Sequence, residues 1–236
     1  MIDVRPFSSL GAFRNEWLNA RHHFSFGDYH DRARMGFGRL RVWNDDEIAP
    51  GTGFGAHPHR DMEIVTFIRQ GAITHKDSLG NVGATRAGDV QVMHAGQGIT
   101  HSEHNLEEEL TRLFQIWIIP DRMGVEPGWG TKEFPRATGQ GLSVLASGRT
   151  ADADSGALPL YADAAVLAAR MAAGERTPYR LLPGRAAYLV AASGEIRVNG
   201  VLANARDGVA LREEPEVEIE AVSAAEIVLV DVRDGA

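Results

Sequence analysis

Apolar and polar residues in this chain alternate in short runs; they do not recur at the three-to-four spacing of amphipathic helices. Gly38-Arg39-Leu40-Arg41-Val42-Trp43-Asn44 alternates as a half-buried strand does. Met62 to Ile68, Ala72 to His75, Val90 to Met93 and Leu113 to Ile119 extend the pattern, the last stopped by Pro120. Turn formers stand between them: Asn44-Asp45-Asp46, Gly71, Asp77-Ser78-Leu79-Gly80-Asn81 and Ala87-Gly88-Asp89. Trp17-Leu18-Asn19-Ala20 reads as a turn or a brief helix. Residues 120 to 140 gather Pro120, Gly124, Pro127, Gly128, Gly130 and Pro135 and read as a crossing between domains. Beyond it the rhythm resumes in Leu142 to Ala146, Ala164 to Met171, Ala187 to Ala192, Glu195 to Val198, Glu216 to Ala221 and Ile227 to Val232. The pattern predicts an all-β chain of two antiparallel barrels or sandwiches with few short helices. The division falls at residues 1–133 and 134–236. Gly194 to Gly200 followed by Arg206-Asp207-Gly208 echoes Gly71 to Asn81 followed by Ala87-Gly88-Asp89, a weak repeat that makes the two halves related.

Composition narrows the functions available. At 236 residues, 44% hydrophobic and 24% charged, the chain can bury two ordinary cores. A net charge of -8 without a Lys/Arg block argues against direct nucleic-acid binding. Without cysteine, any metal must rest on His, Asp and Glu. No leader-like opening and no long apolar window are seen, so the expectation is a cytoplasmic protein that does not enter a membrane.

Histidine is distributed unevenly. All nine lie at or before His104, and residues 105–236 contain none. A histidine metal centre therefore belongs to the first half alone. His57-Pro58-His59 and His101-Ser102-Glu103 each place two metal-capable side chains at i and i+2. On strands, that spacing turns both members of a pair to one face. Adjacent strands would converge three imidazoles and one carboxylate, a donor set for Fe(II), Ni(II), Zn(II), Mn(II) or Cu(II). By the same parity Asp61 and Glu63 share the face of His57 and His59, and either could orient a ligand imidazole. His75, His94 and His104 read as structural or supporting. The aromatic run His22-His23-Phe24-Ser25-Phe26-Gly27-Asp28-Tyr29-His30 reads as cover for one barrel end, or else as the lip of an entrance for a flat ligand.

The stretch resembles the pirin family of the cupin superfamily. Gly51, His57, His59 and Glu63 fit the first cupin motif in register, with the next glycine one residue late at Gly71. The second motif is looser: Gly88 and Gly96 fit, His101 comes two residues late, and Asn105 follows in step. Those departures are pirin-like, as are His57-Pro58-His59-Arg60-Asp61-Met62-Glu63, Asp77-Ser78-Leu79-Gly80-Asn81 and Gly98-Ile99-Thr100-His101-Ser102-Glu103. The resemblance covers nearly the whole chain and is closest to short bacterial pirins that resemble quercetin dioxygenases. It implies a bicupin of two jelly-roll barrels, the first carrying the metal on His57, His59, His101 and Glu103, the second without a site. Glu63, a ligand in many other cupins, is not expected to be one here. One divalent ion is implied, Fe(II) first, with Ni, Mn, Co, Cu and Zn as alternatives.

The activity this implies is opening of a flavonol such as quercetin with O2, with loss of carbon monoxide. The substrate hydroxyl would bind the metal and Glu103 would accept its proton as general base. Another enol or catechol is an alternative substrate. The rival is a non-enzymatic regulator whose metal shapes a surface for a protein partner. The chain is expected to be a monomer.

Overall fold

The computed structural model of the chain describes residues 1–134 and 137–235. Pro135, counted above in the interdomain crossing, lies outside the described residues. Strands dominate, and the helical elements among the described residues are three single 3-10 turns at Phe7–Ser9, Arg32–Arg34 and Thr150–Asp152. Among the described residues no helix is long and apolar enough to cross a membrane.

Two seven-stranded sheets and two four-stranded sheets make two barrels. In the first, the small sheet runs Gly53–His59, Ile99–His104, Ala72–Asp77, Val82–Arg86. Its large sheet runs Gly128–Lys132, Val90–His94, Glu63–Gln70, Thr111–Ile118, Leu40–Ile48, Leu18–His22, Gly11–Arg14. In the second, the small sheet runs Arg176–Arg180, Glu216–Ala221, Ile196–Val198, Val201–Ala203. Its large sheet runs Ile2–Arg5, Gly208–Arg212, Arg185–Ser193, Ala225–Arg233, Ala164–Met171, Ser143–Ser147, Leu158–Pro159. The small sheets correspond strand for strand, as the echo between Gly71–Asn81 and Gly194–Gly200 leads one to expect.

The two large sheets face each other across a shared core. Trp43 and Tyr188 meet there at 5.6 Å between rings, and Phe24 packs on Tyr188 at 5.0 Å. Sheets covered on both faces need strands apolar on both faces. Hence Glu63–Gln70 turns Val65 and Phe67 to the shared core and Ile64 and Ile68 into the first barrel.

The barrel interiors differ. The second holds one cluster of nineteen buried apolar residues, among them Leu167, Leu189, Val217, Ile219 and Leu229. In the first, apolar residues separate into groups of six and four around Ile73 and Met93. The space between is polar: Asp46, Thr66, His75, Gln91, His101 and Glu103 are all buried. A polar interior is costly unless its groups are paired or put to use, which locates the site.

Three local expectations change. Trp17 to Ala20 enters the strand Leu18–His22, because its apolar residues at Leu18 and Ala20 close one end of the barrel. Asn44-Asp45-Asp46 does not turn the chain; it lies within the nine-residue strand Leu40–Ile48. The crossing contributes Gly128–Lys132, which pairs with Val90–His94 and completes the first large sheet. Strand Ile2–Arg5 crosses the other way and pairs with Gly208–Arg212 of the second barrel.

Candidate metal centre

Strands Gly53–His59 and Ile99–His104 are antiparallel neighbours with His57 opposite His101 and His59 opposite Ile99. Between His101 and Glu103 the register shifts, Glu103 facing Phe54, so the first strand carries one extra residue there. A bulge of this kind re-aims side chains at functional sites. Within it His57 Nδ1–H donates to the Gly55 carbonyl at 2.7 Å, which leaves Nε2 as the ring's lone-pair donor. Gly53 is required for the close approach: a Cβ there would sit 2.2 Å from the Glu103 carbonyl oxygen.

The imidazoles of His57, His59 and His101 form a triangle with ring separations of 4.5 Å, 4.8 Å and 5.0 Å. One ligand atom from each lies within 4.8 Å of the others. A second trio with the same spacing comprises His75, His101 and Glu103, so His101 joins the two. The four residues singled out from the sequence are therefore brought together in two overlapping groups, with Glu103 reached through His101.

A hydrogen-bonded series selects the ring nitrogens. His75 Nε2–H donates to Asp77 at 3.0 Å, leaving Nδ1 as an acceptor 3.4 Å from His101 Nδ1. His101 then presents Nε2, which is buried and has no hydrogen-bond partner. A buried nitrogen without a partner beside two further imidazoles fits a cation. Burial, and then neighbouring histidine charge, lowers His101 to about 3 and His59 to about 4. Both rings are neutral near pH 7, as a ligand must be. The residues present thus fit a divalent ion with nitrogen donors and one oxygen.

Glu103 sits between two amides. Gln91 Nε2 donates to one carboxylate oxygen at 2.6 Å and Gln115 Nε2 to the other at 2.7 Å. Each amide is itself oriented by an indole: Trp129 Nε1 donates to Gln91 Oε1 at 3.2 Å, and Trp117 Nε1 to Gln115 Oε1 at 3.3 Å. With each amide oxygen already engaged, its N–H group is the one that faces Glu103. Burial raises the Glu103 carboxyl to about 7, and the two amides act in the opposite sense.

Asp61 and Glu63 do not orient the histidines. Asp61 accepts from the Gly124 backbone at 2.7 Å. Glu63 accepts from His94 at 2.6 Å and from the Tyr161 backbone at 3.0 Å, which ties the first barrel to the second. The orienting carboxylate is Asp77, in the hairpin turn, acting through His75. His104 faces Gly53 and stands outside both trios. Sequence reading passed over Gln91, Gln115 and Trp129. The available signal was a glutamine set between apolar neighbours in a buried strand, as in Val90-Gln91-Val92 and Phe114-Gln115-Ile116.

The cluster opens into a cavity of about 510 Å³ walled by Trp17, Leu18, Phe26, Phe54, Ala56 and Trp117, with His57, His59 and Glu103 at its inner end. Trp17 meets Phe54 edge-on at 5.2 Å, and Phe26 meets Trp117 at 5.4 Å. The aromatic run thus divides: His22 and Phe26 line the cavity, while Phe24 is buried between the barrels.

In comparisons with known proteins, the family model named Pirin matches residues 4–118, and the quercetinase C-terminal cupin domain matches residues 144–232. A putative quercetin 2,3-dioxygenase of Pseudomonas aeruginosa is 60% identical, over 98% of this chain and all of its own. A quercetin 2,3-dioxygenase of Escherichia coli K12 is 37% identical, over 98% of this chain and 99% of its own. The crystal structure of the bacterial pirin YhhW from Escherichia coli in complex with nickel(II) superposes with a TM-score of 0.93. That match covers 99% of this chain and all of that one at 37% identity.

Proposed function

We propose, for a chain that belongs to the pirin family of the cupin superfamily, that it opens the ring of a flavonol with O2 and does so with a divalent ion held by His57, His59, His101 and Glu103. The observation that carries this reading is the histidine triangle, two of whose members, His57 and His59, line an aromatic-walled cavity. The names of the relatives agree with it.

When bound, the ion would supply Lewis acidity toward the substrate's enol hydroxyl. The chain supplies the rest. The Trp17–Phe54 and Phe26–Trp117 pairs grip a planar aromatic body and exclude water from the inner end. Glu103, raised to about 7 and fixed by two amide donors, is matched to take the hydroxyl proton near neutral pH. The Asp77–His75–His101 series fixes the tautomer that leaves His101 Nε2 free.

Purified protein reconstituted with each divalent ion in turn should consume quercetin in air and stop when O2 is removed. His101→Ala should lower metal content and reduce turnover by about a hundredfold or more. Equal quercetin loss with and without O2, or full activity of the metal-depleted variant, would sink the proposal.

A further inference from the structure

Strand Leu40–Ile48 presents its residues alternately to the two sides of the large sheet. Trp43 and Asp45 face the second barrel, where Asp45 pairs with Arg206 at 2.6 Å. Asn44 and Asp46 face inward and line the cavity. Several polar groups of that wall have protein partners. His22 is bonded to Asn44 at 2.8 Å, His57 to Gly55, Glu103 to its two glutamines, and Trp117 to Gln115. Asp46 is 2% exposed, and its Oδ1 is buried without a hydrogen-bond partner. Its cross-strand neighbours are Leu113 and Ala20, which offer no side-chain donor.

A buried carboxyl oxygen with no partner is destabilising for the folded chain. Because this one lines a cavity, its missing partner can arrive with a ligand. The electrostatics specify the ligand. Burial, then the charges of Asp45 and Glu103, raise the carboxyl well above the usual range, while Arg69 opposes them. The group is thus suited to a neutral partner that both gives and takes a hydrogen bond, such as a phenolic hydroxyl. It stands on the large sheet, across the cavity from the histidines on the small one, so a ligand reaching both must span the barrel.

We infer that Asp46 is a specificity-determining residue that exchanges hydrogen bonds with a phenolic hydroxyl of the substrate other than the one presented to the histidine cluster. The inference rests on the flavonol reading above and adds a second point of hydrogen-bond recognition, at Asp46. A site that pairs a buried polar group with a hydroxyl rejects analogues lacking it.

The test uses the full-length protein, with Asp46→Leu and Asp46→Asn, and two probes. Quercetin carries several hydroxyls; 3-hydroxyflavone keeps the enol hydroxyl and lacks the others. Binding is followed by quenching of tryptophan fluorescence, and melting is recorded without ligand. Wild type should bind quercetin at least about tenfold more tightly than 3-hydroxyflavone. In Asp46→Leu the ratio should fall to within about threefold, through lost quercetin affinity, while the melting temperature holds or rises. An unchanged ratio overturns the inference. So does a lower melting temperature in Asp46→Leu that Asp46→Asn restores, since Asp46 would then be structural. If wild type binds neither probe, the flavonol reading fails by itself. The melting arm then decides Asp46, with a stabilised Asp46→Leu keeping it as a ligand-facing group and a destabilised one removing it.

Discussion

His23 lies wholly buried where the barrels meet, its Nδ1 bonded to the Tyr188 hydroxyl at 2.9 Å. Burial first, then the charges of Arg5, Arg206 and Arg34, lowers its pKa from 6.5 to about 3. The unfolded chain takes up this proton as pH falls through 6.5, and the folded chain does so only near 3. The contribution of His23 is therefore constant above pH 6.5 and is lost progressively below it. Between pH 7 and pH 5 the loss is about 2 kcal/mol. His23→Gln should lose that much less stability over the interval by urea midpoint, and parallel losses in both proteins would refute the assignment. Legibility at this scale followed charge and spacing. His57, His59, His101 and Glu103 stand out because i, i+2 pairing is a local signal. Asp46 was hidden, because Asn44-Asp45-Asp46 has the composition of a turn and only the packing of sheets shows that it is strand. The Asp77–His75 series was hidden too, since cross-strand pairing with His101 decides it.

Strands were the most readable elements. Alternation and turn residues located the hairpin Ala72–Asp77/Val82–Arg86 and the strands around it. They could not show that Gly128–Lys132 is a strand, because its Gly-Trp-Gly run earns no strand propensity and is held by its partner Val90–His94. Gly51, Gly53 and Gly55 signal a bend into Gly53–His59, but not the extra residue of its bulge, which sets the aim of His57. The bulge depends on Gly53, whose place a side chain cannot take: a Cβ would lie 2.6 Å from His104 Cα as well as against the Glu103 carbonyl. Gly53→Ala should force the two ligand strands apart at a cost of about 1–3 kcal/mol and weaken divalent-ion uptake in calorimetric titration. Unaltered melting together with unaltered uptake would show that the contact relaxes freely.

Across the whole molecule, the barrels share one topology and divide the labour. At the second-barrel positions matching the ligand strands, Thr177 pairs with Ile219 and Tyr179 with Val217, and apolar filling replaces donors. The barrels are joined by the shared aromatic core, by Glu63 reaching the Tyr161 backbone, and by Ile2–Arg5, whose Arg5 donates to the His23 carbonyl at 3.2 Å. Removing residues 1–6 should lower the melting temperature by about 5 °C or more, as scanning calorimetry would show; an unshifted transition would mean that strand is ornamental. Its placement also bears on the order of events as the chain is made. Ile2–Arg5 must wait, unpaired, for Gly208–Arg212, which is made long after it. The first barrel can close around its histidines while synthesis continues, but the edge of the second is sealed only by Ile2–Arg5, made long before the strand it pairs with. Final assembly is thus a late, long-range step that no amino-terminal fragment can perform.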